Sequence, residues 1–508
     1  MNFRITFILL LSIKISLVRS IDVSFYVYPT STNTSVVCGS ENSVTSACPT
    51  IQAAITSFIT QYNDTQMVQQ YNILLAGGTY TSDGNNKLWI GTSQLTIAPI
   101  DTTQTVVIDL GQKYFMNALE SPSATRNTTL SLTLSNLKFI NGYGPGSLIY
   151  SVSNIADSNI TLNQCQLDSF SSPLTGGVFK SIAQSLRPRN RFIISQSNFT
   201  NISGVKAILI TADSDVEITI DRSQITNSQA SGGGMIETFY GALDISNSLF
   251  FNNSVGNHIF SVNTLDQDGS VTNCRFLNNS LSLNDNSGLF TLIDSTVTFD
   301  SCEFTNNTGG SILNIIREIK DYKTQTYINN NKFIRNTGAL NGGVINLGEL
   351  TTLYVNGTVF QENSATEKGG AIFAEEALLV SIKSSSFIDN QATTDGRSIY
   401  TDDTVVMNIS KTEFKGLGNE IYCDGGGFSS LVLNNITYVN NLVDCAGEGC
   451  TIQGDYNNNN CSKKSGNKRI GEIIGIVIGV VFGLIIIGVV VYLIYKRNQS
   501  RKQYLPMS

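Results

Sequence analysis

Apolar and polar positions follow a motif that repeats along most of the chain. In FQENSATEKGGAIFAEEAL, residues 360–378, a Phe is followed three residues later by an Asn, then by a Gly pair and an aliphatic pair. Aligning looser copies on the apolar marker gives twelve positions, 24 to 32 residues apart: Phe139, Leu167, Phe199, Ile225, Phe250, Phe276, Phe304, Phe333, Phe360, Phe387, Phe414 and Tyr438. A period in the twenties, kept over a dozen copies, is typical of a solenoid whose units are stabilised by their neighbours.

The repeating unit has the pattern of short β-strands. Between the markers, alternating segments such as DVEITI, TVTFD, TLYVNGTVF and LLVSIK are separated by Gly, Asn, Asp and Ser clusters. Helical spacing is not sustained after about residue 70 until residue 473, and the LxxLxL framework of leucine-rich repeats is missing. We therefore predict an all-β fold, a right-handed parallel β-helix of about 12 coils with three short strands per coil. At the usual strand spacing the rod is roughly 55 Å long.

Each motif residue has a predicted place in its coil. The marker points inward and stacks on the markers of adjacent coils, and its burial contributes about 2 to 3 kcal/mol in transfer terms. The Asn three residues on is expected at a corner, with left-handed backbone and its amide bonded to the amide of the next coil. This Asn ladder comprises Asn253, Asn279, Asn307, Asn336, Asn363, Asn390 and Asn441. The Gly pairs that permit the next tight corner include Gly176, Gly309, Gly342 and Gly369.

An amphipathic segment precedes the coils. CPTIQAAITSFITQY, from Cys48, places Ile51, Ala54, Ile55 and Phe58 on one helical face, and the strand NILLAGGTY follows. Such a helix covers the open edge of the first coil. The TIQAAI-type helix, the apolar strand and the Gly turn resemble the opening of the pectin-lyase-like β-helix superfamily. The FxxN and GGAI repeats are similar to polymorphic outer-membrane protein repeats, as in surface proteins of social amoebae. The resemblance covers residues 38–445 and implies a fold more than a function.

Two apolar segments predict that the chain is exported and anchored. Residues 1–20 have Arg4, an apolar run to Leu17, and small residues at Val18 and Ser20, which predicts a cleaved signal peptide, with an uncleaved anchor as the alternative. Residues 473–495 contain no charge and are long enough to cross a bilayer. Because basic residues flank both ends of this segment, the signal peptide sets the orientation. We expect a single-pass type I plasma-membrane protein with its ectodomain outside the cell.

The predicted organisation follows from these segments. It consists of a signal peptide at 1–20, an N-terminal cap and first coils at 21–130, β-helix repeats at 131–445, a Cys-containing cap and polar stalk at 446–472, a transmembrane helix at 473–495 and a cytoplasmic tail at 496–508.

Thirteen Asn-x-Ser/Thr acceptor sites precede the predicted span, which fits a secreted glycoprotein. They are Asn33, Asn63, Asn127, Asn159, Asn198, Asn201, Asn252, Asn278, Asn306, Asn356, Asn408, Asn435 and Asn460. Asn201, Asn252, Asn278 and Asn306 immediately precede the ladder register. Because successive strand residues point to opposite faces, we expect them to face outward while the ladder side chains face inward.

Nine cysteines in an extracellular chain predict disulfide bridges and one remaining thiol. Cys38 and Cys48 bracket the approach to the helix and are expected to pair. Two bridges of open connectivity are expected among four residues near the end of the repeats: Cys423, Cys445, Cys450 and Cys461. Cys274 and Cys302 share a register on adjacent coils and are predicted to pair, with an inward thiol stack as the alternative. Cys165 is the remaining thiol.

The anchor and tail carry two short association motifs. Gly471, Gly475, Gly479 and Gly483 form a small-residue face that permits a homodimer through the membrane helix. In the tail, Tyr504 and Met507 fit a Tyr-x-x-apolar sorting signal similar to clathrin-adaptor cargo motifs. It predicts endosomal cycling, with an ordinary tail as the alternative.

Composition argues against nucleic acid and against a familiar catalytic site. Only 14% of residues are charged and the net charge is −7, so the chain has no basic face for a phosphate backbone. Its one histidine, His258, lacks the flanking pattern of polygalacturonase-type relatives. Asp402 and Asp403 are expected in a solvated turn. Lyase-type relatives use several Asp residues together with an Arg, but no such Arg accompanies the acids on nearby coils here, Asp285, Asp294 and Asp300. No catalytic residue, metal site or cofactor is predicted.

These observations favour a cell-surface glycoprotein that binds rather than catalyses. The predicted role is adhesion or recognition, with a protein or glycan of another cell as partner and repeated weak contacts along a rigid rod. The first alternative is a membrane-tethered polysaccharide lyase or hydrolase. The second is an endocytic receptor that depends on Tyr504.

Overall fold

The computed structural model describes most of the chain between residues 22 and 461. The described ranges are 22–62, 70–81, 83–90, 94–119, 129–153, 157–173, 177–183, 190–212, 215–264, 267–282, 287–403, 405–424, 429–446, 449–456 and 461. Within them the chain forms one helix, Ile51–Tyr62, and a parallel β-solenoid built from three long sheets and two short ones.

Sheet A has sixteen strands and sheet B has fourteen. The strands of sheet A are Asp22–Val27, Gln70–Leu75, Gln94–Pro99, Thr129–Ser135, Asp157–Asn163, Asn190–Ser195, Val216–Asp221, Ala242–Ser246, Gly269–Thr272, Thr296–Asp300, Gln325–Asn329, Thr352–Asn356, Leu379–Lys383, Val406–Ser410, Ser429–Asn434 and Cys450–Gly454. Those of sheet B are Gly78–Tyr80, Val106–Lys113, Lys138–Gly142, Gln166–Asp168, Asn198–Thr200, Gln224–Thr226, Leu249–Phe251, Arg275–Leu277, Glu303–Thr305, Lys332–Ile334, Val359–Gln361, Ser386–Ile388, Glu413–Lys415 and Thr437–Tyr438.

Sheet C has fourteen strands, and sheets D and E are short additions between sheets B and C in the chain. The strands of sheet C are Leu88–Ile90, Met116–Leu119, Ile149–Ser153, Phe179–Ala183, Leu209–Ala212, Ile236–Phe239, Phe260–Asn263, Gly288–Ile293, Ser311–Ile316, Ile345–Leu347, Ile372–Glu375, Ile399–Asp402, Ile421–Asp424 and Val443–Ala446. Sheet D consists of Ser171–Ser172, Ser203–Gly204, Gln229–Ala230, Ser254–Val255 and Ser280–Leu281, and sheet E of Ala339–Asn341, Ser364–Lys368 and Gln391–Ala392.

The predicted marker column runs through sheet B and confirms the solenoid. Phe276 pairs with Phe250 on one side and Phe304 on the other, and this register continues from Phe139 to Tyr438. The eleven markers before Tyr438 are almost completely buried. Ring centroids of successive Phe markers from Phe250 to Phe414 lie 4.6 to 5.2 Å apart. Stacked rings one strand spacing apart therefore form the core.

The prediction of a buried marker is wrong for Tyr438, which is 46% exposed. Tyr438 lies on the last strand of sheet B, so no further coil covers its ring. The column begins earlier than predicted, because Tyr80 and Ile108 occupy the same register before Phe139.

The Asn ladder is confirmed for six residues. From Asn253 to Asn363, each side-chain amide donates to the side-chain oxygen of the next coil's Asn at 3.0 Å, and each backbone N–H donates to the same oxygen at 2.9 to 3.1 Å. Asn390 ends the ladder. Asn441 is exposed and donates to Asn419 instead, so its assignment to the ladder is wrong.

The left-handed residue lies one position earlier than predicted. Asn252, Asn278 and Asn306 have φ angles of 55°, 54° and 55°, whereas the adjacent ladder residues do not have positive φ. Asn is among the residues that tolerate this conformation best. The left-handed residue turns the chain out of sheet B, and the buried amide that follows bonds the next coil.

A second polar ladder lies two residues before the markers and was not predicted. The backbone N–H of Cys165 donates to the Ser197 hydroxyl at 3.0 Å, and that of Ser197 donates to the Ser223 hydroxyl at 3.1 Å. The same contact recurs later, where the N–H of Thr358 donates to Ser385 at 3.2 Å. These side chains satisfy buried corner N–H groups that the three-sheet path leaves without strand partners.

Three disulfides are present. Cys38 is bonded to Cys48 as predicted, and the four later cysteines pair as Cys423–Cys450 and Cys445–Cys461. The predicted Cys274–Cys302 bridge is wrong, because both thiols are free and buried, as is Cys165. The backbone N–H of Cys274 donates to the Cys302 sulfur at 3.4 Å, so these thiols belong to the second polar ladder.

We expect three thiols per chain to react with a thiol reagent in denaturant and none in the native protein. Burial excludes reagent from the three free cysteines and raises the pKa of Cys165 to about 12. Titration with a chromogenic disulfide, before and after denaturation without reductant, measures both numbers. One thiol after denaturation would mean that Cys274 and Cys302 are bridged.

The helix caps the first coils as predicted. Ile51, Ala54 and Ile55 are fully buried, and the Phe58 ring stacks on Tyr71 with a centroid distance of 3.8 Å. The Thr50 hydroxyl accepts the backbone N–H of Ala53 at 3.1 Å, which is an N-cap contact.

Several predicted features lie outside the described residues. These are the signal peptide at 1–20, Gly176, the sequons Asn63, Asn127 and Asn460, the span at 473–495 with its Gly face, and the Tyr504 motif. In the part of the chain that the structure describes, no helix has the length and apolar character needed to cross a bilayer.

Candidate active site

The outer face of sheet C differs from the other two faces because none of the sequons among the described residues lies on its strands. Asn159, Asn356 and Asn408 lie on sheet A, and Asn198 lies on sheet B. Asn201, Asn252, Asn278 and Asn306 follow strands of sheet B and are exposed, and Asn435 follows a strand of sheet A. Attached glycans would therefore crowd sheets A and B and leave sheet C accessible.

We expect glycan on Asn252, Asn278 and Asn306 and none on Asn253, Asn279 and Asn307. The first three are exposed, whereas the last three are at most 2% exposed and bonded within the ladder. Glycopeptide mapping of protein purified from a eukaryotic host reads out each position. Sugar on a ladder Asn would contradict the register.

Three carboxylates form a column at the C-terminal end of sheet C. Glu375 pairs in register with Asp402 on the adjacent strand. Thr401 pairs with Cys423, so Asp424 continues the column on the strand after that. The backbones of neighbouring members are one strand spacing apart, about 4.8 Å across the sheet. Glu375 is exposed, and Asp402 and Asp424 are half-buried. We call these three residues the carboxylate column.

An aromatic column lies beside the carboxylates. The ring centroids of Phe373, Tyr400 and Tyr422 are 5.4 and 5.3 Å apart on consecutive strands. The Lys368 Nζ atom lies 4.3 Å from the Tyr400 ring centroid and 4.0 Å from Asp402 Oδ2. The Tyr400 hydroxyl donates to Asp424 Oδ2 at 2.7 Å. The Lys368 ammonium and the Tyr400 hydroxyl thus fix two of the three carboxylates.

The surroundings raise the pKa values of two members of the column, Glu375 and Asp402. Partial desolvation by the surrounding protein raises the pKa of Glu375, although its side chain is exposed, and the nearby charges of Asp402 and Glu376 raise it further. Burial also raises the pKa of Asp402, where Lys368 opposes the shift and Asp424 and Asp403 add to it. Burial and donation to Asp424 raise the pKa of the Tyr400 hydroxyl, which keeps it a proton donor. A neighbouring like charge disfavours ionisation of a carboxyl group, and pKa values shifted in this way are common at catalytic sites.

These shifts predict how stability depends on pH. Because folding raises the pKa of Asp402, its contribution to the free energy of unfolding is fully present below its unfolded pKa, about 4. That contribution is lost as the pH rises through the folded value. We expect Asp402→Asn to gain stability relative to wild type as the pH rises from about 4 to 7. Urea midpoints measured at several pH values give this difference, and a difference that shrinks with rising pH would contradict the assignment.

The structure changes the place of several residues considered from the sequence. Asp402 and Asp403 were expected in a solvated turn, but Asp402 ends a strand of sheet C within the carboxylate column. Asp294 is buried and accepts the backbone N–H groups of Glu318 and Ile319, whereas Asp300 lies on sheet A. Asp285 lies outside the described residues. Glu375 and Asp424 were missed, although Glu, Asp and Asp after the apolar strand cores of successive repeats were visible in the sequence.

A second titratable cluster lies further toward the N-terminus. Lys206 Nζ is 2.6 Å from Glu237 Oε2, and His258 Nε2 is 3.4 Å from Glu237 Oε1. Burial opposes ionisation of Glu237, but hydrogen bonds from His258 and Lys206 lower its pKa. With its side chain 7% exposed and bonded to Lys206, Glu237 is held as a structural ion pair rather than presented to a substrate.

No group of three or more His, Cys, Asp or Glu side chains among the described residues is arranged to hold a metal ion.

The sequence matches no protein-family model and no curated protein. Solved structures do match. The A-module of the mannuronan C-5 epimerase AlgE6 from Azotobacter vinelandii is 11% identical, with 80% of this chain and 95% of that chain covered and a TM-score of 0.34. A GH136 lacto-N-biosidase from Eubacterium ramulus is 9% identical, with 78% of this chain and 68% of that chain covered and a TM-score of 0.35. A mannuronic acid specific polysaccharide family 6 lyase from human gut microbiota is 11% identical, with 74% of this chain and 78% of that chain covered and a TM-score of 0.29.

These matches correct two predictions made from the sequence, adhesion as the role and the absence of enzymatic activity. The matched structures are an epimerase, a glycosidase and a lyase. At these identities and TM-scores the likeness itself extends only to the fold. Any assignment of chemistry therefore has to rest on the carboxylate column.

Proposed function

We propose that this protein is a membrane-tethered enzyme that hydrolyses an uncharged polysaccharide at Glu375, Asp402 and Asp424. The observation that carries the proposal is the pair of adjacent carboxyls with raised pKa values, Glu375 and Asp402, on the face of the solenoid that has no sequon among the described residues. A glycosidase needs one protonated and one ionised carboxyl across the scissile bond. Glu375 and Asp402, whose pKa values are both raised and whose charges disfavour each other's ionisation, are the candidates for that pair.

The roles follow from the surroundings of each acid. Glu375 is the most exposed of the three and is assigned as the acid that protonates the leaving glycosidic oxygen. The carboxylate on the other side of the bond either attacks the anomeric carbon or removes a proton from the attacking water. Overall, one water is consumed: its oxygen joins the anomeric carbon and a proton ends on the leaving oxygen.

Spacing leaves two stereochemical outcomes. The backbones of Glu375 and Asp402 are one strand spacing apart, about 4.8 Å, so this pair suits the separation of about 5 Å between the carboxyl groups of retaining enzymes. The backbones of Glu375 and Asp424 are two spacings apart, about 9.6 Å, so that pair suits the wider separation of roughly 6.5 to 9.5 Å in inverting enzymes. The anomeric configuration of the first product therefore identifies the partner of Glu375.

Charge favours hydrolysis of an uncharged glycan over elimination from a uronic acid polymer. Glu376 and Asp403 directly follow the strands of Glu375 and Asp402, while Lys368 is a cation in contact with the carboxylate column. A uronate approaching these acids would meet like charge. Lys368 is already occupied by Asp402 and the Tyr400 ring, so it is poorly placed to neutralise a second carboxylate.

The remaining parts of the proposal come from the sequence. The signal peptide at 1–20 and the span at 473–495 support an extracellular enzyme held at the plasma membrane. The resemblance to pectin-lyase-like proteins supports a right-handed helix, and the FxxN repeats support a relation to polymorphic outer-membrane proteins.

The test is a screen of the purified full-length protein against neutral and acidic polysaccharides. Reducing ends without ultraviolet absorbance indicate hydrolysis, and absorbance of an unsaturated product indicates elimination. We expect reducing ends from a neutral polymer. Unsaturated product, or cleavage of uronic acid polymers only, would overturn the assignment of the reaction.

A further inference from the structure

The C-terminal end of the solenoid leaves an apolar surface uncovered. Leu417, Tyr438 and Val439 are 81%, 46% and 67% exposed. The strand Thr437–Tyr438 is the last of sheet B. The side-chain amide of Asn440 donates to the carbonyl of Gly416 at 3.1 Å, which holds the segment of Val439 beside that of Leu417. We call these three residues the end patch.

The segments that cap the C-terminal ends of sheets A and C do not extend over this patch. The strand Cys450–Gly454 closes sheet A, and the Cys445–Cys461 bridge joins the last strand of sheet C to the segment after it. The Tyr456 and Tyr438 rings pack in a T-shaped arrangement, with centroids 5.4 Å apart. The end patch is therefore the part of the terminal coil that this cap leaves exposed.

The same end of the rod is where the chain continues to its predicted anchor. Cys461 is tied to the last strand of sheet C, and only the eleven residues 462–472 separate it from the span at 473–495. Fully extended, they reach at most about 40 Å. The tether thus restricts this end of the solenoid to the neighbourhood of the bilayer.

We infer that the end patch rests on the lipid surface, with Leu417, Tyr438 and Val439 in the headgroup region. Tyrosine is enriched at membrane interfaces, and small apolar groups gain stability by burial at the acyl boundary. A second copy of the chain fits less well, because three side chains and a two-residue strand fall short of the roughly 1,200 Å² that a stable protein interface buries. The inference rests on the membrane tether in the proposed function.

This contact also determines where the enzyme acts. The strands of Asp424, Asp402 and Glu375 are one, two and three positions from the last strand of sheet C. At about 4.8 Å per strand, the carboxylate column lies roughly 5 to 15 Å from the end of the solenoid. Its substrate would then be a glycan close to the protein's own membrane rather than a distant polymer.

Fluorescence quenching in nanodiscs tests the contact on the full-length chain. Tyr438→Cys is labelled with an environment-sensitive thiol-reactive fluorophore, and the native free thiols are buried and do not compete. Tyr240→Cys is the matched control, because Tyr240 is 43% exposed and eight strand positions from the end, about 38 Å away. Each variant is placed in discs of phosphatidylcholine with and without a nitroxide headgroup lipid, at one chain per disc.

We expect the label at position 438 to lose more than half of its emission with the nitroxide lipid and the label at position 240 to keep nearly all of it. If the nitroxide lipid quenches both labels to the same extent in chains that have entered the discs, the lipid contact is overturned and the hydrolase proposal stays intact. Failure of the chain to enter the discs would overturn the tether and with it this inference. Backbone amide hydrogen exchange of residues 437–441 in the wild-type chain tests the contact without any substitution. The exchange rates are compared between the chain in discs and the detergent-free ectodomain released by proteolysis of the stalk. Equal rates in the two samples would also contradict the contact.

Discussion

Asp402→Asn should reduce hydrolysis of the polysaccharide about 10²- to 10⁴-fold, the range that one positioned acid or base contributes. The amide keeps the size of the side chain at position 402 but can neither ionise nor share a proton with Glu375. Glu375→Gln should cause a loss of similar size, and because a glutamine cannot protonate the leaving oxygen, substrates with good leaving groups should be rescued. Initial rates at saturating polysaccharide measure both effects.

A carboxylate elsewhere on the rod serves as the control. Glu413 lies on sheet B and is half-buried, and Lys415 Nζ lies 2.9 Å from its Oε1 atom. Glu413→Gln should leave the rate unchanged within about twofold, because ion pairs on the surface contribute little to stability. Equal activity of wild type and both carboxylate-column variants would remove the catalytic assignment.

Asn307→Ala should lower the free energy of unfolding by about 2 to 4 kcal/mol. The Asn307 oxygen accepts the backbone N–H and the side-chain amide of Asn279, and its own amide donates to the Phe276 carbonyl at 2.9 Å. Alanine removes these partners while Asn279 and the carbonyl stay buried, and an unpaired buried polar group is costly. Urea denaturation followed by circular dichroism gives the change.

The adjacent residue is a natural control for the ladder. Asn306 is exposed and has a φ angle of 55°, which glycine adopts without strain. Asn306→Gly should change stability by less than about 1 kcal/mol. If both substitutions have the same small effect, the ladder does not hold successive coils together in the way described.

The fold was predictable because each coil repeats the same burial requirement. Phe276 and Phe304 need a dry position on every turn, so the spacing of the markers reports the length of the coil directly. Polar positions with one chemistry, such as Asn279 and Asn307, were also visible. The ladder of Ser, Thr and Cys was harder to find, because several residue types satisfy the same backbone N–H and none stands out in the sequence.

The carboxylate column was not predictable because its register depends on loops of unequal length. Glu375, Asp402 and Asp424 are 27 and 22 residues apart, and only the pairing of sheet C brings them onto one line. Known catalytic constellations point to His258, which the structure places beside Glu237 and Lys206. No such constellation is present around His258 in the sequence, which led to the prediction of adhesion, whereas the three acids on consecutive strands match no known motif.

The most direct test of the account is a structure of the Asp402→Asn variant bound to an oligosaccharide from the polymer that the wild-type protein cleaves. We predict a sugar ring on the outer face of sheet C, within hydrogen-bond distance of Glu375 and Asp424. An oligosaccharide bound on sheet A or sheet B, with Glu375 and Asp424 free of sugar, would contradict the account.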